Sequence, residues 1–442
     1  MKIALVGYGV EGRASYNYFS RFPENEIVVF DEFSKRPRDL PSDVLFVTGE
    51  HALEELRSQH FDKVLRTPPL APSKLEGVAN VTSGTREFFA ACPAPIIGVT
   101  GSKGKGTISS LIYEILKAAG KSVWLVGNIG MPALDVLPDV KSDDIVVYEL
   151  SSFQLWDLER SPHTAVISMV EPEHLDVHAN VDEYYQAKGN IRRHQTIEDN
   201  CFYHPTNEIS KQIADMGGPH DPSERELWRS KSSRYAVPDD GAVYVKENTF
   251  FVRNQHICSA KILQLVGQHN VENACAAISA ALVYTNDFDA VAMGLTNFKG
   301  LPHRLQLVNE KSDVKYYDDS IATTPGSAIA ALGSFEAPKV LIVGGSDKGA
   351  DFAELAREIT KHKMRGVITI GAMGPIIADE LRKADYTDIT ETEELMPSVV
   401  QLASNIAQAG DIVILSPSCA SFDQYKNYAD RGEQFTAAVA NL

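Results

Sequence analysis

The chain has 442 residues, more than one compact core holds, so about two to four domains are expected. It is 44% hydrophobic and 23% charged, the balance of an ordinary globular protein. A formal net charge of −17 argues against nucleic acid or an anionic membrane as the main partner, and an anionic substrate then needs a locally basic pocket. The five cysteines, Cys92, Cys201, Cys258, Cys275 and Cys419, have no paired spacing, which fits a reducing compartment and suggests neither a zinc site nor a disulfide framework. No apolar run approaches the roughly 18 residues that cross a bilayer. "KIALVGYG" enters a strand at once, without the pattern of a signal peptide. A cytoplasmic protein without membrane insertion is expected.

Three blocks follow in chain order, each opening with a strand and a glycine-bearing turn. The first, "KIALVGYGVEG", passes into a helical pattern and then the strand "IVVFDE". Gly7, Gly9 and Gly12 form a G-x-G-x-x-G turn, with Asp31 at the end of the next strand. Glycines there allow close backbone approach and a helix N-terminus faces a pyrophosphate. Any diphosphate nucleotide suits such a turn, and a tight βα turn without a ligand would look the same.

The second block, "PIIGVTGSKGKGTISSLIYEILKAAG", reads as strand, loop and helix, with apolar residues Ile108, Leu111, Ile112, Ile115 and Leu116 at helical spacing. Backbone N–H groups across residues 101–106 (Gly101, Ser102, Lys103, Gly104, Lys105, Gly106) can form an anion nest, and Lys105 can reach the β- and γ-phosphates. The strict G-x-x-x-x-G-K-[ST] pattern fails twice. Val99 stands for the first glycine and Gly106 for the hydroxyl residue, leaving Thr107 to offer a hydroxyl to Mg²⁺. Glu149 ends the apolar strand "IVVYE", a position suited to a magnesium ligand or to a solvated strand end. His174 in "EPEHLDVH" reads either as a ligand or as a loop histidine, and Lys188 in "YYQAKGNI" by itself reads as helix surface. Residues 205–260 are polar and read as an irregular insertion with a small β element.

The third block holds "APKVLIVGGSDKGADF", "RGVITIG" and "DIVILSPSCASFDQY". Strands alternating with helical segments predict parallel, doubly wound sheets with ligands beyond the strand C-termini. Seams are expected near residues 90–95 and 297–304. There is no internal repeat and no low-complexity tract.

Taken together, "GYGVEG", "TGSKGKGT", "GNIG", "ELSSFQL", "EHLD", "GQHNVENA", "GLPHR", "GGSDKGADF" and "SPSCASFDQYKNY" resemble the Mur ligase superfamily along the whole chain, in order. The resemblance implies an α/β protein of three domains. A UDP-substrate-binding Rossmann-like domain takes residues 1–90, a central P-loop ATPase domain with a parallel sheet residues 91–299, and a Rossmann-like glutamate-binding domain residues 300–442. It implies ATP-dependent addition of D-glutamate to UDP-N-acetylmuramoyl-L-alanine through an acyl phosphate, in peptidoglycan precursor synthesis, by a monomer.

Carried over by position, the resemblance makes Lys105 the phosphate lysine. It makes Thr107, Glu149, His174 and a carbamylated Lys188 the ligands of two magnesium ions. Gly7, Gly9, Val10, Glu11, Asp31 and Asn128 would meet the UDP-sugar substrate. Asn273, Arg304 and Asp319 would meet the adenine, phosphate and ribose of ATP. Thr323, Lys348, Ser421 and Tyr428 would hold glutamate, with Tyr428 where phenylalanine is common. Lys105, Lys188 and His174 are the expected catalytic side chains.

Several positions depart from the pattern. Lys103 and Gly106 make the loop similar to that of folylpolyglutamate synthase, a superfamily relative. Met169 stands for an asparagine, Glu173 for an aspartate and Ile321 for a lysine. Thr67-Pro68-Pro69 replaces Ser-Pro-Gly, and Glu11 lies in the nucleotide turn. An NAD-dependent oxidoreductase using residues 7–12 would leave the second phosphate loop and Lys348 without a role. A nucleotide-binding module without turnover would differ by lacking ATP hydrolysis coupled to both co-substrates.

Overall fold

The computed structural model describes residues 1–32, 35–238, 240–347 and 349–442. Lys348, one of the expected glutamate contacts, lies outside the described residues. The chain divides into two compact units, Met1–Leu263 with His269–Phe298, and Gln264–Gln268 with Lys299–Leu442.

The first unit begins with a five-stranded parallel sheet. Its strands are β1 (Lys2–Val6), β2 (Glu26–Asp31), β3 (Leu45–Thr48), β4 (Lys63–Arg66) and β5 (Val81–Ser83), in the order β3-β2-β1-β4-β5. Short runs of valine, isoleucine and leucine buried on both faces give strands of this kind. Helix α1 (Val10–Phe19) starts directly after the Gly7 turn.

A six-stranded parallel sheet follows, in the order β11-β10-β9-β6-β8-β7. Its strands are β6 (Ile96–Thr100), β7 (Val123–Gly127), β8 (Ile145–Glu149), β9 (Thr164–Ile167), β10 (Asn200–Tyr203) and β11 (Ser232–Arg234). Helix α2 (Lys105–Ala118) leaves β6 through the glycine-rich loop, and its five apolar residues at helical spacing are fully buried. Helix α3 (Val181–Arg193) carries Lys188 on its buried face. Strands β12 (Tyr244–Lys246), β13 (Thr249–Val252) and β14 (Gln255–Ser259) form a small antiparallel sheet, and α4 (Gln268–Ala281) follows.

Residues 205–260 are therefore more ordered than their polarity suggests. Besides the antiparallel sheet they contain helices Glu208–Ala214 and Pro222–Ser230, and β11 joins the parallel sheet as its edge. Asn207 and Asp221 cap the two helices through side-chain acceptors, a signal shorter than a full amphipathic period.

The second unit has a six-stranded sheet, ordered β15-β16-β20-β17-β18-β19. The strands are β15 (Gln306–Lys311), β16 (Val314–Asp318), β17 (Lys339–Gly344), β18 (Met364–Ile370), β19 (Ile389–Glu391) and β20 (Ile412–Leu415). Among the described strands of this sheet only the edge strand β15 pairs antiparallel. Helix α5 (Gly374–Lys383) follows β18, and α6 (Tyr428–Ala440) ends the chain. The parallel, doubly wound α/β architecture expected from the alternating pattern is present in both units. Among the described residues no helix is long and apolar enough to cross a membrane.

Candidate functional site

Gly7 adopts φ +94°, and a Cβ there would run into the Thr67 side chain, so only glycine closes this turn. Asp31, at the end of β2, accepts the Tyr8 N–H at 3.1 Å. Gly7, Gly9, Val10, Glu11 and Asp31 then line one cleft of about 790 Å³, together with Thr67, Pro68, Pro69 and Asn128. Glu11 accepts the Gln154 side-chain amide at 3.0 Å, and burial raises its pKa above the usual carboxylate value.

Asn128 belongs to a second centre as well. Its backbone N–H donates to the Glu149 carbonyl at 3.0 Å and its side-chain amide to Glu149 Oε1 at 3.3 Å. Glu149 is 3% exposed and lies at the end of β8, beside β6 and the phosphate loop. The loop is held from below. Ser168 Oγ donates to the Thr100 carbonyl at 3.1 Å and the Lys103 carbonyl at 2.6 Å, and Ser102 Oγ donates to the Glu171 carbonyl at 2.7 Å. Gly104 caps α2 with φ +88°, and a Cβ on it would meet Asn273 Oδ1. The expected adenine contact is therefore already against the phosphate loop.

Lys105 and Lys188 converge on one carbonyl. Lys105 Nζ donates to the Gly101 carbonyl at 2.9 Å and the Ser102 carbonyl at 3.0 Å, and Lys188 Nζ donates to the Gly101 carbonyl at 2.8 Å. Lys188 is 2% exposed. Burial, and then the charge of Lys105, push its pKa well below that of an ordinary lysine, against the opposing pull of Glu173 and Glu149. Helix surface, the first reading of this residue, gives way to a buried amine biased toward its neutral form. Lys103 points outward, with its side chain 67% exposed, and pairs with Glu171 at 2.7 Å. Thr107 is buried in the first turn of α2.

His174 is exposed, at φ +57°, with its ring centroid 4.8 Å from that of Phe153. Sequence reasoning missed its neighbour His178. That residue is 2% exposed, its ring stacked on Phe153 at 5.4 Å and tilted against Trp156 at 4.1 Å between centroids, and its Nε2 lies 3.0 Å from Ser152 Oγ. Burial lowers its pKa. Its four-residue spacing from His174 is the one signal that could have found it. Among the described residues no three His, Cys, Asp or Glu side chains group as metal ligands. The expected magnesium set holds only two of those types, Glu149 and His174. The Glu149 carboxylate and the Thr107 hydroxyl are hard oxygen donors, the kind taken by an ion that keeps water and substrate phosphates in its shell.

In the second unit Asp319 is 5% exposed. It accepts Ser416 Oγ–H at 2.7 Å and the Leu305 N–H at 3.1 Å, and burial raises its pKa to about 7. Arg304 is near enough for its charge to oppose that rise. Thr323 is half-buried, Ser421 is 1% exposed and Tyr428 begins α6 with an exposed ring. What ties these segments together is Arg431, which sequence reasoning also missed. Fully buried, it donates to Ser320 Oγ, the Ser320 carbonyl and the Cys419 carbonyl at 2.9–3.1 Å. Ser320 Oγ in turn donates to the Tyr428 carbonyl at 2.7 Å. An arginine inside the buried stripe of the last helix was the available clue.

Comparison with known proteins shows the family. The Mur ligase middle domain matches residues 99–281, and the Mur ligase glutamate ligase domain matches residues 303–419. A UDP-N-acetylmuramoylalanine–D-glutamate ligase of Clostridium tetani is 35% identical, over 100% of this chain and 97% of its own. The protein of that name from Acetivibrio thermocellus is 36% identical, over 100% and 96%. Among solved structures, a UDP-N-acetylmuramate-alanine ligase of Thermotoga maritima aligns with a TM-score of 0.62 at 18% identity, covering 100% of this chain and 99% of its own. A folylpolyglutamate synthase of Thermotoga maritima has a TM-score of 0.56 at 16% identity and covers 76% and 90%. A MurF ligase of the same organism, in complex with ADP, has a TM-score of 0.57 at 17% identity and covers 99% and 95%. By sequence over its whole length and by fold, the chain belongs to the Mur ligase family.

Proposed function

We propose that this chain is an ATP-dependent ligase that joins D-glutamate to UDP-N-acetylmuramoyl-L-alanine, the reaction that the names of its full-length relatives describe. The observation that carries the reading is Asn128. It lines the diphosphate-type cleft of residues 7–11 and Asp31, and it hydrogen-bonds Glu149 beside the phosphate loop. A sugar substrate in that cleft therefore ends where a nucleotide γ-phosphate would be held. The domain division at residues 1–90, 91–299 and 300–442 belongs to the same proposal.

A carboxylate is a poor electrophile, so its oxygen first attacks the γ-phosphorus and ADP departs with the bonding pair. The glutamate amine then adds to the acyl phosphate carbon, loses a proton, and phosphate leaves. Lys105 neutralises charge that grows on the transferred group. Thr107, Glu149 and His174 would hold magnesium, which supplies Lewis-acid neutralisation of the phosphate oxygens. Lys188, whose burial pushes its pKa well below that of an ordinary lysine, is an amine suited to add CO₂ and become an anionic ligand. Arg304 and Asp319 would meet ATP, and Thr323, Lys348, Ser421 and Tyr428 would meet glutamate. A charge-assisted contact from Lys348 is worth roughly 1.5–3 kcal/mol.

ADP release measured with each co-substrate alone and with both tests the function. Turnover is expected with UDP-N-acetylmuramoyl-L-alanine and D-glutamate together, and equal turnover with a folate and L-glutamate overturns it. The Lys188 role is tested by labelled bicarbonate, which should give a carbamate signal in the parent chain and none in Lys188→Ala.

A further inference from the structure

Three carboxylates, Glu11, Asp31 and Glu32, line the cleft at the Gly7 turn, and Lys74 is the one cation lining it among the described residues. Lys74 sits in a single 3₁₀ turn, Pro72–Leu75, within the crossover from β4 to β5, and Glu32 directly follows β2. Strand β1 lies between β2 and β4 in the sheet. The contact of Lys74 Nζ with Glu32 Oε2 at 2.8 Å therefore closes over the end of β1, where the glycine turn begins. The turn that carries Lys74 is itself pinned. The Lys74 N–H donates to the Ala71 carbonyl at 3.0 Å, and the Lys74 carbonyl accepts Arg57 Nη2. The two side chains are 51% and 42% exposed, so a ligand in the cleft can reach their polar atoms. An exposed ion pair adds little to stability, and breaking it should leave the fold intact.

The two ends of the cleft differ. Asn128 marks the end beside Glu149 and the phosphate loop, where the reacting part of the substrate belongs. A diphosphate suits the glycine turn, and the nucleoside then falls at the end of β2. There Pro69 and Leu70 supply apolar surface for a flat ring, and Glu32 and Lys74 supply polar contacts. Lys74 engages one oxygen of Glu32, and Oε1, the other, has no partner among the described residues. The pair thus offers an acceptor beside a donor. Uracil presents the complement, a ring N–H flanked by two carbonyl oxygens. Cytosine has a lone pair at that central nitrogen, which a carboxylate repels. With the diphosphate held on the glycine turn, the base cannot slide along its edge to escape the mismatch.

We propose that Glu32 reads the base of the UDP-linked substrate by accepting the uracil N3–H, while Lys74 holds Glu32 in place and donates to the neighbouring carbonyl. The inference rests on the cleft taking that substrate. The test is titration calorimetry on the full chain at low salt with UDP and with CDP, excess ADP being present to fill the phosphate loop. UDP should bind at least about tenfold more tightly than CDP. Glu32→Gln, whose amide can donate to the cytosine nitrogen as well as accept from uracil, should cut that ratio to about threefold or less. Lys74→Met should weaken UDP by about fivefold, and Lys74→Arg should restore most of the loss. Glu24→Gln removes the same charge at the opposite end of β2 and should change neither affinity. Equal shifts of UDP and CDP in Glu32→Gln, the mark of charge alone, would overturn the inference and leave the functional reading standing. So would equal binding of UDP and CDP by the parent chain, or unchanged UDP affinity in Lys74→Met. A parent chain that does not bind UDP would overturn both.

Discussion

Lys105 and Lys103 lie two positions apart and have opposite surroundings. Lys105 folds back over the loop carbonyls, where its charge would meet transferred phosphate out of water. Lys105→Ala should lose about 10²–10³ in kcat, as losing one preorganised donor does. Lys103 is exposed and paired with Glu171, and an exposed pair contributes about 0–1 kcal/mol. Lys103→Asn should keep kcat within about fivefold, with an effect that shrinks as salt rises. Steady-state kinetics at two ionic strengths separates them, and equal losses would make both lysines catalytic. Asp319 gives a second test at this scale. Its pKa near 7 exceeds its unfolded value of about 4. The stability from its proton is present in full below pH 4 and is lost as pH rises through 7. Denaturation midpoints for Asp319→Asn should therefore fall less steeply than the parent's between about pH 4 and 7. Parallel profiles would contradict the raised pKa.

At the scale of elements, the phosphate loop depends on two glycines in conformations that other residues avoid. Gly101 has φ +145°, with Ser168 and the Met169 carbonyl packed where its Cβ would be, and Gly104 has φ +88° against Asn273. Gly104→Ala should cost about 1–2 kcal/mol from the left-handed backbone alone, and it should raise the KM for ATP by displacing Asn273. Thermal unfolding together with ATP kinetics checks both effects, and an unchanged KM would remove Asn273 from the nucleotide site. These glycines were legible in the sequence because a strand, a tight loop and an apolar-periodic helix are local patterns. The same holds for Gly7 with Asp31 and for Glu149 at the end of β8. The helices within residues 205–260 were not legible, because Glu208–Ala214 and Pro222–Ser230 span two turns or so and show too little periodicity to stand out from their polar composition.

At the scale of the molecule, the residues that escaped the sequence are those whose partners are remote in it. Arg66, at the end of β4, is fully buried. It makes a two-pronged pair with Asp157 at 2.8 and 2.9 Å, with a third bond to the Phe153 carbonyl at 2.8 Å. It thereby fastens the first sheet to the segment that carries Phe153 and Gln154 of the cleft. No local pattern distinguishes it from a surface arginine. Arg431 and His178 escaped for the same reason, since burial by distant segments gives each its role. Asp157→Ala should destabilise the fold by about 3 kcal/mol, because it leaves a buried guanidinium without its counter-charge. Replacing Arg66 and Asp157 together by leucine should recover much of that loss in chemical denaturation, whereas additive losses would make the pair unimportant. The proposed reaction requires one chain to hold a UDP-linked substrate and ATP so that a carboxylate is activated for D-glutamate. The most direct test is ADP release with magnesium, UDP-N-acetylmuramoyl-L-alanine and a panel of amino acids. Release is expected only when the UDP-linked substrate is present, and highest with D-glutamate. Release that is indifferent to the UDP-linked substrate, or to the amino acid supplied, would contradict it.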